Sequence, residues 1–234
     1  MPAISVVIPA YNERMRIEPT LRTSAGYLSR KSPESEIIVV DDGSGDGTAE
    51  FVRELAIPEV SVISLPSNEG KGAAIRRGML AAEAPFRLFM DADGSTGIQE
   101  LEKLLPLARE HDVVIGSRRS EGSSISVRQS HMREFLGATL FRNISGALLG
   151  LPWQDTQNGF KLFSARAADE LFSELQTTGW AFDLEILLRA NALGLSVAEV
   201  GIEWRNDPRS KMTLPHMVRM LVDVWRLREF RVDR

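Results

Sequence analysis

Asp91 and Asp93 stand one residue apart and are the pair of side chains best suited to chemistry in this sequence. They follow the apolar run FRLFM, which predicts a buried strand, so both carboxylates lie where that strand ends. Hard oxygen ligands select Mg²⁺ or Mn²⁺, and such a cation can bridge two phosphates and offset the negative charge of a leaving diphosphate. A solvated turn is the alternative for an isolated Asp-x-Asp-Gly, but the preceding strand favours a metal site.

A second pair of carboxylates, Asp41 and Asp42, follows another apolar run, EIIVV. One of them can accept hydrogen bonds from a nucleobase or ribose, while the glycines that follow permit a tight turn. An Asx turn with a helix N-cap explains the same residues, and both interpretations can hold together. Residues 9–13 (PAYNE) follow the first predicted strand and are candidates for the wall of a base pocket.

Lys71 lies between Gly70 and Gly72, where a helix is predicted to begin. Backbone N–H groups at a helix start favour a phosphate, and the ammonium can join them. The segment lacks the G-x-x-x-x-G-K pattern with a following Ser or Thr, which disfavours a Walker-type ATPase. No G-x-G-x-x-G opens a helix after the first strand, which disfavours a dinucleotide-binding dehydrogenase. The three histidines lack metal-ligand spacing and are interpreted as surface or loop residues.

Short β-branched runs alternate with longer helical patterns along the chain. Near-continuous apolar runs indicate strands covered on both faces, which predicts an α/β fold with an open, mostly parallel twisted sheet flanked by helices. Right-handed crossovers place the carboxyl ends of such strands along one edge, where ligands bind, so the polar residues described above are expected to meet there. Predicted strands cover residues 4–8, 36–40, 60–65, 86–90, 113–115, 159–164 and 197–204, and predicted helices cover 18–29, 47–56, 72–82, 99–109, 130–150, 181–192 and a segment from about 214.

Composition limits the class of protein. A chain of 234 residues that is 43% hydrophobic can bury a sizeable core, and without cysteine it has no disulfide or thiolate metal site. Its net charge of −4 argues against a nucleic-acid binder. Because neither 18 consecutive apolar residues nor a basic n-region occurs, no transmembrane helix or signal peptide is predicted, and the cytoplasm is the expected location.

Positive charge is concentrated in the second half of the chain. Between Arg118 and Arg142 five arginines face two glutamates, and from Arg209 to the end seven basic residues face three acidic ones. This segregation predicts that the second half faces an anion. Solvated helix faces are the alternative explanation.

Seven motifs occur in an order that resembles the family-2 glycosyltransferases of the A-type fold: VVIPAYNE, VVDDGSGDGT, NEGKGAA, FMDADGST, IGSR, DTQNGFKLF and FDLEIL. Within that family the sequence is most similar to the dolichyl- or polyprenyl-phosphate sugar transferases, and to their glucosyl branch more than to the mannosyl one. The similarity extends over about residues 3–212. It implies inverting, metal-dependent transfer of a hexose from a nucleotide diphosphate sugar, UDP-glucose first and GDP-mannose next, to a polyprenyl or dolichyl phosphate.

The resemblance also implies roles for individual residues. Asp91 and Asp93 would hold Mg²⁺ or Mn²⁺, and together with Arg118, Asp155 and Asp183 they are the expected catalytic residues. The remaining expected residues line the donor pocket (Pro9, Ala10, Tyr11, Glu13, Asp41, Asp42, Gly70, Lys71, Ala92), the acceptor phosphate (Arg118, Arg128, Arg133, Lys211) and the sugar (Gln157, Glu185). We expect one domain over residues 1–234, with a donor half (1–117), an acceptor half (118–212) and a C-terminal amphipathic helix (213–234).

Three positions depart from the pattern of the relatives. Asn158 stands where a cysteine is common, and we expect this change to be harmless. Ser95, a weaker ligand, stands where mannosyl relatives often supply a third metal contact. The usual Pro-Gly-Ser-Lys is replaced by a stiffer and more basic PRSK at residues 208–211.

The identity of the acceptor decides whether a general base is needed. A hydroxyl acceptor must give its proton to a carboxylate, for which Asp183 and Asp155 are the candidates. A phosphate monoester, with a second pKa of about 6, is already mostly dianionic at neutral pH and needs no base, and this acceptor is favoured. A non-catalytic nucleotide-sugar binding module and a nucleotidyltransferase are the rival functions, the latter disfavoured because no glycine-rich loop follows the first strand.

The final helix has an apolar stripe that includes Leu221, Val224 and Trp225, with Arg219 and Arg226 largely elsewhere. A basic amphipathic helix can lie on an anionic bilayer, which predicts a peripheral protein on the inner face of a membrane. Packing of the stripe on the protein core or on the partner of a homodimer is the alternative.

Overall fold

A computed structural model of the chain describes residues 1, 3–127, 149–205 and 214–228. The predicted helix over residues 130–150 lies almost wholly outside them. The strands are β1 (Ile4–Ala10), β2 (Glu36–Asp41), β3 (Val60–Ser64), β4 (Phe86–Met90), β5 (Val113–Ser117), β6 (Ser124–Val127), β7 (Phe160–Ser164), β8 (Val197–Gly201) and β9 (Glu203–Arg205). The α-helices are α1 (Ile17–Lys31), α2 (Thr48–Glu54), α3 (Lys71–Ala81), α4 (Leu101–Leu107), α5 (Ala165–Ser173), α6 (Phe182–Leu193) and α7 (Leu214–Leu227), with a 3₁₀ turn (Ile98–Glu100) before α4.

Seven of these strands form one sheet in the order β3-β2-β1-β4-β7-β5-β8. All neighbouring pairs are parallel except those made by β7, which runs antiparallel to β4 and β5. The prediction of a mostly parallel sheet flanked by helices is therefore confirmed. Strands from both sides of residue 117 belong to this sheet, and the division into donor and acceptor halves stays a prediction.

Two hydrophobic cores lie on opposite faces of the sheet, because successive residues of a strand point to opposite faces. Val7 and Phe89 pack with helices α3, α5, α6 and α7, whereas Ile8 and Leu88 pack with α1 and α4. Both faces of the central strands are thus covered, which explains why the strands appear in the sequence as continuous apolar runs.

The carboxyl ends of β1, β2, β4 and β5 meet at one edge of the sheet. Ala10, the last residue of β1, pairs with Asp41, the last residue of β2, and Asp91 follows β4 directly. Because β7 is antiparallel, its amino end lies at this same edge, where Phe160 pairs with Met90. The segment that precedes β7 therefore joins the loops that follow the parallel strands.

The predicted strand over residues 197–204 is two strands in the structure. Ile202 is buried between β8 and β9, and β9 leaves the main sheet to pair with β6, a strand that was not predicted. Gly201 lets the turn before β6 approach the end of β8, since a Cβ atom at residue 201 would lie 2.3 Å from the carbonyl oxygen of Glu121. The turn after β5 is in this way fixed against Trp204.

Helix α7 packs on the core with one side only. Met220, Val224 and Leu227 are buried in the core beside α6, whereas Leu221 and Trp225 are exposed. The predicted stripe is thus wider than the face that the core covers, and its outer part faces solvent. Within the described part of the chain, no helix combines the length and the apolar character needed to cross a membrane.

Candidate active site

The turn after β4 presents Asp91 and Asp93 at the carboxyl edge of the sheet. The Asp91 N–H donates to the Gly159 carbonyl (3.1 Å), and one carboxylate oxygen of Asp93 accepts from the Ser95 N–H (2.9 Å). Glycine at position 159 leaves room for this carboxylate, since a Cβ atom there would lie 1.9 Å from Asp91 Oδ2 and would force the Asp91 side chain to move. Burial, together with the charge of Asp91, raises the pKa of Asp93. Negative charge is concentrated here and attracts a cation.

This pair of carboxylates fits a hard divalent cation. Both side chains offer oxygen ligands, and Asp91 is still partly exposed. Among the residues that the structure describes, no group of three His, Cys, Asp or Glu side chains is placed to hold a metal ion. Were Mg²⁺ or Mn²⁺ bound to this pair, water and phosphate oxygens would be the usual source of its other ligands, as when such a cation binds with a phosphorylated substrate.

Lys71, the first residue of α3, provides a positive charge beside this pair. Its Nζ lies 2.6 Å from Asp91 Oδ1 and faces the rings of Trp180 (4.9 Å) and Phe89 (5.3 Å). Burial lowers the pKa of Lys71, but the surrounding carboxylates, led by Asp91, outweigh burial and the net shift is upward. The ammonium is therefore charged at neutral pH.

Two backbone N–H groups at the start of α3 are bound within the protein, and the binding of a phosphate at this helix start stays a prediction. The Gly72 and Ala73 N–H groups both donate to the Thr178 carbonyl (2.7 and 3.2 Å). A Cβ atom on Gly72 would lie 2.4 Å from the Thr177 carbonyl oxygen, so this approach of the 176–178 loop requires glycine. The Lys71 ammonium is the cationic group that this helix start offers to an anion.

Glu185 holds that loop in place. Its carboxylate accepts from the Gln176 and Thr177 N–H groups (2.9 and 2.6 Å) and pairs with Arg189 (2.8 Å), and it is fully buried. The placement of Glu185 on the sugar side stays a prediction, since the contacts that its carboxylate makes here are with the protein. Glu185 positions the loop that caps α3.

Arg118 and Asp155 form a bidentate ion pair at the end of β5. The guanidinium donates from Nε and Nη2 to the two carboxylate oxygens (2.7 Å each), and the Arg118 N–H adds a third bond (2.9 Å). The guanidinium also lies 5.3 Å from the Trp204 ring. Burial disfavours the charged form of Asp155, but Arg118 outweighs it and the pKa of Asp155 is lowered. Asp155 thus orients Arg118 and is a poor general base.

Lys161 and Asp183 form a second, fully buried ion pair. Lys161 Nζ donates to Asp183 Oδ1 and to the Asn158 carbonyl, each at 2.5 Å. Burial raises the pKa of Asp183 in spite of the two nearby lysines. Its charge places Asp183 in the same electrostatic network as Asp91 and Lys71.

The two aspartates after β2 have different tasks. Asp42 accepts from the Glu69 and Gly70 N–H groups (2.8 and 3.0 Å), so it holds the loop before α3, and burial raises its pKa. Asp41 accepts from the Ser44 N–H (3.2 Å) through one oxygen only. Its other oxygen is buried and has no hydrogen-bond partner within the described residues. Asp41 is therefore the member of the pair with an acceptor left for a ligand.

The loop after β1 is tied to the loop after β2. The Asn12 N–H donates to Ser44 Oγ (2.8 Å), and Asn12 adopts a positive φ of 54°. Glu13 is buried and paired with Arg16, whose Nη2 lies 2.8 Å from Glu13 Oε1. Tyr11, which precedes Asn12 in the loop after β1, is exposed. The two loops thus form one rigid wall on which Tyr11 presents its ring.

Other expected residues lie around this centre or outside the described chain. The structure places Pro9 and Ala10 at the end of β1, Ala92 between the two metal-site aspartates, and Gln157 half-buried before β7. Arg128, Arg133 and Lys211, predicted to bind the acceptor phosphate, lie outside the described residues.

Comparison with known proteins identifies the chain's family. Residues 5–172 match the model of glycosyl transferase family 2. The chain belongs to glycosyl transferase family 2. Its relatives include dolichyl-phosphate beta-glucosyltransferases of Trichomonas vaginalis (39% identical, covering 93% of this chain and 68% of the relative), Dictyostelium discoideum (33%, 96% and 73%) and Homo sapiens (32%, 97% and 79%).

Solved structures confirm the A-type fold of this glycosyltransferase. Glucosyl-3-phosphoglycerate synthase from Mycobacterium tuberculosis aligns with a TM-score of 0.72 at 23% identity, over 97% of this chain and 80% of that one. Mannosyl-3-phosphoglycerate synthase from Rubrobacter xylanophilus aligns with a TM-score of 0.69 at 23% identity, over 97% and 74%. At this level of identity the likeness concerns the fold alone.

Lys161 is the residue of the glycosyltransferase site that the sequence analysis missed. A signal was present, because Lys161 is the one charge within the apolar strand FKLFS. A lysine is almost never fully buried unless it is paired, so its presence there indicates a buried acidic partner. Which acid forms the pair depends on the packing of α6 against β7 and could not be derived from spacing.

Asn158 is a second residue whose environment differs from expectation. Both polar atoms of its side-chain amide are buried and have no hydrogen-bond partner among the described residues. Burial of an unsatisfied amide costs about 1–3 kcal/mol, so asparagine at position 158 is predicted to lower stability relative to the cysteine that the family resemblance implies.

We expect Asn158→Cys to raise the free energy of unfolding by about 1–3 kcal/mol, because a thiol needs no hydrogen bond to be buried. Urea unfolding under reducing conditions measures the change. Asn191→Cys, on the exposed side of α6, is the matched control and should leave stability nearly unchanged. A loss of stability in Asn158→Cys would show that the amide has a partner.

Proposed function

We propose that this glycosyltransferase moves a hexose, with inversion, from a nucleotide diphosphate sugar to a polyprenyl or dolichyl phosphate, using Mg²⁺ or Mn²⁺. UDP-glucose is the first candidate donor and GDP-mannose the second. The observation that carries the proposal is the placement of Asp91 and Asp93 at the carboxyl edge of the sheet, with Lys71 Nζ 2.6 Å from Asp91 and Arg118 near enough for its charge to interact with Asp91. A diphosphate and a second anion can be held there together.

The relatives support the acceptor and part of the donor chemistry. Dolichyl-phosphate beta-glucosyltransferases are 32–39% identical to this chain over most of its length. Crystals of the mycobacterial glucosyl-3-phosphoglycerate synthase contained Mn²⁺ and UDP-glucose. That protein is too distant to assign a donor, but its A-type fold accommodates both groups.

In the proposed reaction an acceptor oxygen attacks the anomeric carbon on the side opposite the leaving group. The bond from that carbon to the diphosphate oxygen breaks, and its electron pair leaves with the nucleoside diphosphate. A cation held by Asp91 and Asp93 would supply positive charge to the diphosphate. Lys71 adds a second positive charge on the donor side, and Arg118 holds the acceptor in line.

The environment of the two candidate bases supports a phosphate acceptor. Asp155 is committed to Arg118 with a lowered pKa, and Asp183 is buried against Lys161. A phosphate dianion needs neither of them as a base. It needs cations, and Arg118 is partly exposed and keeps further N–H groups beyond those that bind Asp155. Arg128, Arg133 and Lys211 are proposed to complete the acceptor-phosphate site.

The outer face of α7 is proposed to lie on an anionic bilayer. Leu221 (42% exposed), Val222 (45%) and Trp225 (56%) form an apolar arc on the side opposite the core. Three exposed arginines flank this arc: Arg219, Arg226 and Arg228, the last with its guanidinium 3.8 Å from the Trp225 ring. Apolar side chains bordered by arginines complement an anionic lipid surface, where a polyprenyl phosphate would be found.

Donor and metal use can be tested by a thermal-shift panel of UDP- and GDP-sugars with and without Mn²⁺. We expect metal-dependent stabilisation by one base and not the other, reaching about 2.7 kcal/mol at a hundredfold excess over the dissociation constant. Asp91→Asn should lose the metal-dependent part, whereas Glu54→Gln, on exposed α2, should keep it. If no nucleotide and metal combination stabilises the wild type, the proposed function is wrong.

The acceptor class can be tested by the pH dependence of transfer to a short-chain polyprenyl phosphate. The rate should rise with pH through about 6, the second pKa of the phosphate monoester, because the dianion is the nucleophile. An acceptor phosphonate should shift the pH profile by the difference between its second pKa and that of the phosphate. A profile that stays fixed when the acceptor changes, or transfer to the free alcohol, would point to a protein base and a hydroxyl acceptor.

Membrane binding can be tested with surface variants of α7. Deleting the helix is unsuitable, since Met220, Val224 and Leu227 belong to the core. Replacing Leu221, Val222 and Trp225 together by serine should reduce binding to phosphatidylserine-containing vesicles at least tenfold, while the thermal shift by nucleotide is retained.

The matched control for α7 is the double variant Leu80→Ser and Leu193→Ser, which removes similarly exposed leucines from α3 and α6. It should bind vesicles like the wild type. Unchanged vesicle binding of the α7 variant would contradict the membrane role. Conversion of a wild-type dimer to a monomer by the same variant would identify this face as a subunit interface.

A further inference from the structure

Lys71 makes its ion pair with the same carboxylate that is proposed to bind the metal. Its Nζ is 2.6 Å from Asp91 Oδ1, and its side chain is mostly buried between Asp91 and the rings of Phe89 and Trp180. A divalent cation on Asp91 and Asp93 would lie beside this ammonium and repel it. The described contact of Lys71 and cation binding therefore oppose each other.

Among the described residues, the other acid that acts strongly on Lys71 is Asp183, and it already has a lysine partner of its own. Asp183 is committed to Lys161, and Asp155 to Arg118. The donor diphosphate would be a new anionic partner. The N–H groups of Gly72 and Ala73 are occupied by Thr178, so the Lys71 ammonium is the strongest partner that the start of α3 offers to a phosphate.

We infer that Lys71 is the internal counter-ion of Asp91 in the metal-free enzyme and exchanges this carboxylate for a donor phosphate when the cation binds. Metal without nucleotide then binds weakly, because it must displace an ammonium whose remaining acidic neighbour, Asp183, is already paired with Lys161. Metal with nucleotide binds well, because the displaced ammonium pairs with the diphosphate. Cation and nucleotide thus raise each other's affinity by the same factor.

The backbone around Lys71 suits such an exchange. Gly70 (φ 108°) and Gly72 both lie against the 177–179 backbone, which fixes the start of α3. The lysine side chain is long and has several rotatable bonds, so its ammonium can change partners while its backbone stays in place. Only side-chain rotation is needed.

The test measures Mn²⁺ binding by electron paramagnetic resonance with no nucleotide, with UDP and with GDP. Lys71→Met should bind Mn²⁺ alone about tenfold more tightly than the wild type, a coupling in the usual range of about 5–150-fold. It should also lose most of the increase in Mn²⁺ affinity that UDP or GDP gives the wild type. Lys71→Arg keeps the charge and should retain weak binding of metal alone.

Arg77→Met is the matched control, since it removes one positive charge from an exposed position on the same helix and should behave like the wild type. Circular dichroism and thermal unfolding establish that each variant is folded. Equal Mn²⁺ affinities of Lys71→Met and Arg77→Met without nucleotide would overturn the inference, and so would unchanged coupling to nucleotide in Lys71→Met.

The inference rests on the proposed function, and the two fail in different ways. A wild type that binds Mn²⁺ cooperatively with UDP or GDP, together with a Lys71→Met variant that does the same, contradicts only the role of Lys71. A wild type that takes up no Mn²⁺ with either nucleotide contradicts both.

Discussion

The close approach of the Gly159 backbone to Asp91 is the contact on which the rest of the active site depends. A hydrogen bond from the Asp91 N–H to the Gly159 carbonyl fixes the Asp91 backbone at the end of β4, and glycine at 159 leaves room for the carboxylate in its present position. Antiparallel β7 then carries Lys161 into the core, while the segment before it brings Asp155 to Arg118. One antiparallel strand in an otherwise parallel sheet thus brings the Arg118–Asp155 pair to the same edge as Asp91 and Asp93.

Buried charges in this site are matched in pairs, because an unpaired buried charge costs several kcal/mol. There are two such ion pairs in the site: Arg118 lies beside Asp155, and Lys161 lies beside Asp183. Burial and the charge of Asp91 raise the pKa of Asp93, although Arg16 lies close enough to oppose this shift. The acidic pair therefore retains an excess of negative charge, and this excess is what a divalent cation and a diphosphate would share.

The carboxyl edge of the sheet could be predicted from the sequence, because apolar runs followed by Asp41 or Asp91 encode both strand and loop locally. Contacts between distant segments could not. The direction of β7, the pairing of β6 with β9 and the carbonyl of Thr178 at the start of α3 depend on packing that no periodicity reports. The contacts of Glu185 also depend on packing: its carboxylate binds two backbone N–H groups and Arg189, which the motif FDLE alone does not predict.

The loop over residues 176–180 connects helix α6 to the start of α3 and to Lys71. Glu185 on α6 holds its first residues, Thr178 caps α3, and Trp180 covers the ammonium of Lys71. Helix α6 also carries Asp183, so the same element positions a buried acid and, through the loop, the lysine on the donor side. The acids of this site are fixed by backbone N–H groups and by paired cations, whereas Lys71 is held by one ion pair, with Asp91. The charge that can change its position therefore lies where the donor diphosphate is proposed to bind.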